Sequence, residues 1–234
     1  MTNEIEKKPK IPENSMKITV SRNGPYIVTG GVPLIVSEIR SDEEGYCKDW
    51  LEVKRYPLKE QYSLCRCGKS ENKPFCDGMH TKIHFDGTET GDYEPYIEGA
   101  DTISGPVLTL LDNKHFCVHA GFCVRAGGTW KLVKRDDPDT RNIAIEETFN
   151  CPPSGRLVII DNTTGKAIEP EFEKSIVIVE STLLHEQGPL WVRGGIPIES
   201  ADGKLYEIRN RVTLCRCGKS ENKPFCDGSH IEGG

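Results

Sequence analysis

The sequence predicts a mainly β, small α+β protein. Two repeated halves, each a β-cap carrying a cysteine-rich loop, pack on one another as an intramolecular pseudo-dimer, and a small α+β unit is inserted between them. Three observations point there. The segment LCRCGKSENKPFCDG at 64–78 returns without a change at 214–228. A looser match precedes each copy, GPYIVTGGVP at 24–33 and GPLWVRGGIP at 188–197, so the repeat is a domain and not a motif alone. Short β-rich runs are broken throughout by Gly and Pro, 23 and 15 residues in all, which argues against long helices.

Taken in order, residues 1–15 mix Glu, Lys, Pro and Asn without an apolar core and read as a disordered leader, not a signal peptide. The first repeated domain is expected over 16–90, with strands at 17–20 and 26–29. Its cysteine segment lacks helical or strand periodicity and reads as a loop, with room for one helical turn near Asp77 and, in the second copy, Asp227. Residues 91–165 repeat neither half and form the inserted unit, with strands at 107–111 and 157–160 and a short helix at 142–149. The second repeated domain covers 166–234, with strands at 176–180 and 190–193.

A formal charge of −6 gives no global attraction to nucleic acid or anionic membrane, and Lys131, Lys134 and Arg135 read as a solvated face. No apolar run approaches the ~18 residues a membrane helix needs. These features point to a cytoplasmic protein with no nucleic-acid or membrane partner. In such a reducing compartment ten cysteines serve metal binding sooner than disulfides.

Each repeat reads Cys-x-Cys, eight residues, Cys, three residues, His. The candidate metal and cofactor ligands are therefore Cys65, Cys67, Cys76 and His80 in the first copy and Cys215, Cys217, Cys226 and His230 in the second. Gly68 and Gly218 give the backbone freedom to bend past paired cysteines, and Gly78 and Gly228 to return the histidine. Pro74 and Pro224 fix the chain ahead of the third cysteine. Asp77 and Asp227 suit capping of backbone N–H groups or orientation of the histidine. Three thiolates and an imidazole satisfy tetrahedral zinc as well as an iron–sulfur cluster, although structural zinc favours wider spacing within its cysteine pairs. His230, five residues from the last residue counting itself, is expected to make the second site exposed and labile. His84 and His185 read as surface or loop residues, and Cys47 as a packed thiol.

The stretch Cys215-Arg-Cys-Gly-Lys-Ser220 followed by Pro224-Phe-Cys-Asp-Gly-Ser-His230 resembles the CDGSH motif of the NEET iron–sulfur proteins. In the first copy Met79 stands at the serine position, with all four ligand positions kept. The resemblance covers the two halves. It implies one Cys3His-ligated [2Fe–2S] cluster in each, two in all, held by the eight residues above, and a pairing of halves that does within one chain what single-motif members do by homodimerisation. A monomer follows from it.

In the inserted unit, Cys117-Val-His-Ala-Gly-Phe-Cys123 and Cys151-Pro152 form a second constellation. It resembles the divergent single-cluster ferredoxins that accompany CDGSH domains, with Cys117, Cys123 and Cys151 at the cysteine positions. That implies a third cluster, [3Fe–4S] or [4Fe–4S]. A [4Fe–4S] site wants four thiolates, so His119 completes the set, one iron is missing, or the cluster has been lost. The expected function is electron transfer or iron–sulfur cluster transfer, with redox proteins or apo iron–sulfur acceptors as partners, and not enzyme catalysis: the sequence carries no dinucleotide fingerprint or phosphate loop. A zinc-binding or cluster-stabilised interaction scaffold, or the redox subunit of a reductase, are the alternatives.

Overall fold

The computed structural model describes residues 16–151, 155–181 and 186–231. The 1–15 segment and His185, both assigned roles from sequence, lie outside them. The fold is mainly β, with three sheets and short helices. The first half supplies β1 (Lys17–Val20), β2 (Tyr26–Thr29), β3 (Leu34–Ser41), β4 (Cys47–Arg55) and β5 (Gln61–Leu64). The middle unit supplies β6 (Asp101–Ser104), β7 (Leu108–Asp112), β8 (Leu157–Asp161) and β9 (Ala167–Ile168). The second half supplies β10 (Ser175–Ser181), β11 (Glu186–Arg193), β12 (Ile198–Glu199) and β13 (Arg211–Leu214).

The two halves exchange strands. One sheet runs β12-β1-β2-β5 and the other β13-β11-β10-β3-β4, so each contains strands from both halves. The exchange is reciprocal. After Gly30-Gly31-Val32-Pro33, β3 crosses to lie parallel to β10, pairing Leu34 with Ile176. After Gly194-Gly195-Ile196-Pro197, β12 crosses to lie parallel to β1, pairing Ile18 with Ile198. The same entry bond forms twice, from Ile176 N–H to the Pro33 carbonyl at 2.9 Å and from Ile18 N–H to the Pro197 carbonyl at 3.0 Å. Both glycines of each pair adopt positive φ, between 70° and 83°, where a side chain would be strained. This is the internal pseudo-dimer.

Alternation explains why the exchange holds. Ile18, Val20, Tyr26, Val28 and Leu64 of one sheet and Leu34, Val36, Ile176, Ile178, Leu190 and Leu214 of the other are all buried in a single shared core. Each fully buried aliphatic chain there contributes about 1.5–3 kcal/mol relative to exposure.

The middle unit packs β6-β7-β8-β9 against α3 (Pro138–Asn150), which follows α1 (Met79–Lys82) and α2 (Thr129–Leu132) in the chain. Asp137 caps α3 by accepting from Thr140 N–H at 2.9 Å, and Pro138 starts it. Trp50 and Arg211 are among the residues that join this unit to the halves. Trp50 of β4 stacks on Phe122 at 5.2 Å and donates to the Asn150 carbonyl at 3.1 Å. Arg211, 1% exposed, pairs with Glu169 and donates to the carbonyls of Thr148, Cys151 and Leu157.

Candidate metal centres

In each repeat the loop ends are tied by the same backbone bonds. Cys65 N–H donates to the Pro74 carbonyl at 2.8 Å and Cys76 N–H to Ser63 at 2.9 Å. Cys215 and Cys226 do the same to Pro224 and Thr213, at 2.9 and 3.0 Å. Ser70 and Ser220 hydroxyls brace the turn between, donating to the Phe75 and Phe225 carbonyls at 2.6 and 2.7 Å. Asp77 and Asp227 act as caps. Asp77 accepts from the N–H groups of Glu71 and Met79, and Asp227 from those of Glu221 and Ser229.

This frame gathers the eight predicted ligands as pairs. Sγ of Cys65 lies 3.9 Å from Sγ of Cys67, and Sγ of Cys215 lies 3.6 Å from Sγ of Cys217. Sγ of Cys76 lies 3.3 Å from Nδ1 of His80, and Sγ of Cys226 lies 3.6 Å from Nδ1 of His230. A tetrahedral metal with thiolate arms of about 2.3 Å sets two sulfurs about 3.8 Å apart, and a sulfur and an imidazole nitrogen about 3.5 Å apart. All four pairs have the edge length of a metal tetrahedron. Among the described residues no three His, Cys, Asp or Glu side chains gather as tightly as one ion requires. The mutual hydrogen bond of Cys215 and Cys217 lowers the first thiol and raises the second. Burial raises the Cys226 thiol, and the charge of Cys215 adds to it.

The two sites abut. A Cβ on Gly68 would lie 2.5 Å from the Cys217 carbonyl oxygen, and one on Gly218 would lie 3.0 Å from that of Cys67. The positive φ of these glycines, 75° and 80°, fits the turn role expected from sequence. Close approach of the two loops is their second role.

Identical loops meet different surroundings. Tyr26 reaches across to donate to the carbonyls of Cys215 and Pro224 at 2.7 and 3.0 Å. Its counterpart in the repeat is Leu190, which has no hydroxyl. Asp77 is exposed and Cys76 half-buried, whereas Cys226 is 2% exposed and Asp227 half-buried. The expectation that the second site is the exposed one is corrected at Cys226 and Asp227, while His80 and His230 are both half-buried and Cys217 is half-buried where Cys67 is buried. The middle unit covers the second loop, which position along the chain could not reveal.

In the middle unit Cys123 and Cys151 are buried and Cys117 half-buried. Burial pushes Cys151 up to about 12, and the charges of Cys123 and Cys117 add to it, so the three thiols share one electrostatic neighbourhood. Cys117 Sγ accepts from Arg156 at 2.9 Å, and Arg156 also pairs with Asp112, itself 2% exposed. His119 packs on Gly228 of the second repeat. Cys47 is half-buried beside Gly121 on the cluster that contains Cys123 and Cys151, and its thiol is raised by burial. His84 is exposed. All ten cysteines are free thiols.

Comparison with known families agrees with this arrangement. The family model described as iron-binding zinc finger, CDGSH type, matches residues 23–81 and 187–231. The divergent 4Fe-4S mono-cluster model matches residues 103–162. No curated protein matches the chain. The chain is an iron–sulfur protein of the CDGSH type. Within that class it is a tandem form, with two CDGSH regions flanking a divergent single-cluster ferredoxin-like segment. Among the described residues no helix is long and apolar enough to cross a membrane.

Proposed function

We propose that this chain is a cytoplasmic, monomeric carrier of electrons and iron–sulfur clusters, not an enzyme, which holds one [2Fe–2S] cluster in each repeat. The observation that carries the reading is the pairing of donors. Two sulfurs at 3.9 or 3.6 Å suit one iron, and a sulfur and Nδ1 at 3.3 or 3.6 Å suit the other, in both loops. Cys65, Cys67, Cys76 and His80 would hold the first cluster, and Cys215, Cys217, Cys226 and His230 the second. Cys117, Cys123 and Cys151 would hold a third, [3Fe–4S] or [4Fe–4S]. Ala120 stands where Cys-x2-Cys-x2-Cys would supply another thiolate.

When bound, such clusters supply one-electron redox chemistry. The chain's own groups tune it. Gly78 N–H donates to Cys76 Sγ and Lys219 N–H to Cys217 Sγ, each at 3.4 Å, and draws charge off the sulfur. An imidazole in place of a thiolate leaves the site one charge less negative, which favours a potential above that of plant-type ferredoxins. With Nδ1 facing the cysteine, Nε2 is the atom left to take a proton, so the potential should fall as pH rises. Ten free thiols fit a reducing compartment, and the partners would be redox proteins or apo acceptors.

Iron and sulfide counting with paramagnetic resonance of the dithionite-reduced protein tests this. About four irons are expected from the two repeats, with three or four more from the middle unit. Redox titrations of His80→Cys and His230→Cys should lose the pH slope of the wild type. Colourless protein with one zinc per loop would overturn the proposal.

A further inference from the structure

The two metal loops share fifteen identical residues and differ, up to the histidine, only at Met79 and Ser229, whose hydroxyl donates to Asp227 at 2.6 Å; the remaining differences between them come from what surrounds them. Among the described residues, the middle unit closes on the second loop, and none of its hydrogen bonds or ring contacts reaches the first. His119, itself at φ 56°, lays its ring on Gly228: a Cβ there would fall 2.5 Å from its Cδ2 and 3.1 Å from the Cys117 carbonyl oxygen. Phe116 meets Phe225 edge-on at 5.6 Å. Asn222 Nδ2 donates to the His115 carbonyl at 3.4 Å. The chain entering the middle unit adds backbone bonds, from Thr90 and Gly91 N–H to the Lys223 carbonyl at 2.8 and 2.7 Å. In the first loop Gly78 has nothing within 4 Å of a Cβ position, and Phe75 packs on Tyr56 and Tyr62 of its own half.

We propose that the middle unit is a clamp on the second metal loop, so that the protein releases metal from the first site and retains it in the second. The first loop, with Asp77 exposed, is then the face an acceptor meets. This rests on metal binding at both repeats and holds for whichever metal fills them. Opening a loop must precede release, and a loop fastened to a packed unit opens less often.

The test uses the full-length loaded protein, with excess EDTA and iodoacetamide in a buffer at neutral pH. As each site empties, the metal–thiolate and metal–imidazole bonds break and metal passes to EDTA. Inorganic sulfide leaves as hydrogen sulfide, and the freed thiolates are alkylated with loss of iodide. Met79 and Ser229, with the residues after each histidine, distinguish the Cys76 and Cys226 peptides by mass. Alkylation of Cys76 should lead that of Cys226 by about 10- to 100-fold in rate, the range over which outer contacts alter metal affinity. Visible absorbance of the two repeats should fall in the same two phases, with loss from the middle unit told apart by the alkylation of Cys117, Cys123 and Cys151. His119→Gly, and His119→Gly with Phe116→Ala, should speed the slow phase and spare the fast one. Met79→Ser, which makes the two motifs alike, should leave both phases in place. Single-phase loss in the wild type, Cys226 emptying first, an unchanged slow phase in both clamp variants, or merging of the phases by Met79→Ser would each overturn the clamp. Zinc in place of iron and sulfide would overturn the cluster reading and leave the order of release standing as its own result.

Discussion

Tyr26 and Glu147 show how single side chains decide local chemistry here. Burial holds the Tyr26 phenol well above its ordinary value, so it stays a donor to the Cys215 and Pro224 carbonyls at any working pH. Tyr26→Phe should lower stability by about 1–2 kcal/mol in thermal or denaturant melts, because two buried acceptors lose one donor. The change should move the spectrum and potential of the second repeat and not those of the first, where Leu190 already occupies the equivalent place. Glu147 is 1% exposed and accepts from the Thr129 hydroxyl at 2.5 Å; burial raises its carboxyl to about 7, against 4.5 for the free group. The folded state therefore keeps a proton that the unfolded chain gives up, and the stability tied to that proton is present below pH 4.5 and lost as pH rises through 7. Melts of Glu147→Gln should lack this decline and exceed the wild type by at least about 1 kcal/mol at pH 8. A parallel decline in the variant would reject the assignment.

Among the elements, the touching metal loops carry the sharpest expectation. Gly68→Ala places a methyl against the Cys217 carbonyl and strains a residue at φ 75°. Overpacking of this kind costs about 1–3 kcal/mol. Because the displaced group belongs to the other repeat, metal content should fall at both sites, as measured by metal per chain. Loss confined to the first site would show that the loops move independently. The same scale shows what the sequence revealed. Strands β1 and β2 were legible through alternation between Gly and Pro breaks, and the eight ligands through spacing. The β3–β4 hairpin was not: Leu34 to Val36 and Ser37 are all buried while most of β4 is exposed, so neither strand alternates. Helix α3 runs well beyond the expected 142–149 because its inner face holds Thr140, Glu147 and Thr148, which hides any apolar stripe. Its Asp137-Pro138 start was the readable signal.

For the whole molecule, the exchange of β3 and β12 binds each half's fold to the other. Residues 16–90 expressed alone should show no cooperative melt by circular dichroism, since β3 would lose β10 and β1 would lose β12. The repeat itself was evident from sequence, and so was the pairing of halves that resemblance implied. The route of that pairing was not, because parallel strands so far apart leave no local trace. His119 on Gly228 escaped for the same reason: nothing in either segment names the other.

Reciprocal strand exchange also sets an order of events during synthesis. The ligands from Cys65 to His80 emerge early, but β10, which pairs with β3, and the Cys215–Gly218 turn that walls the first loop are made much later. A ribosome partway along the message thus displays an open set of thiols with no finished pocket around them. Metal loading of the first repeat is therefore expected only after translation has passed the second.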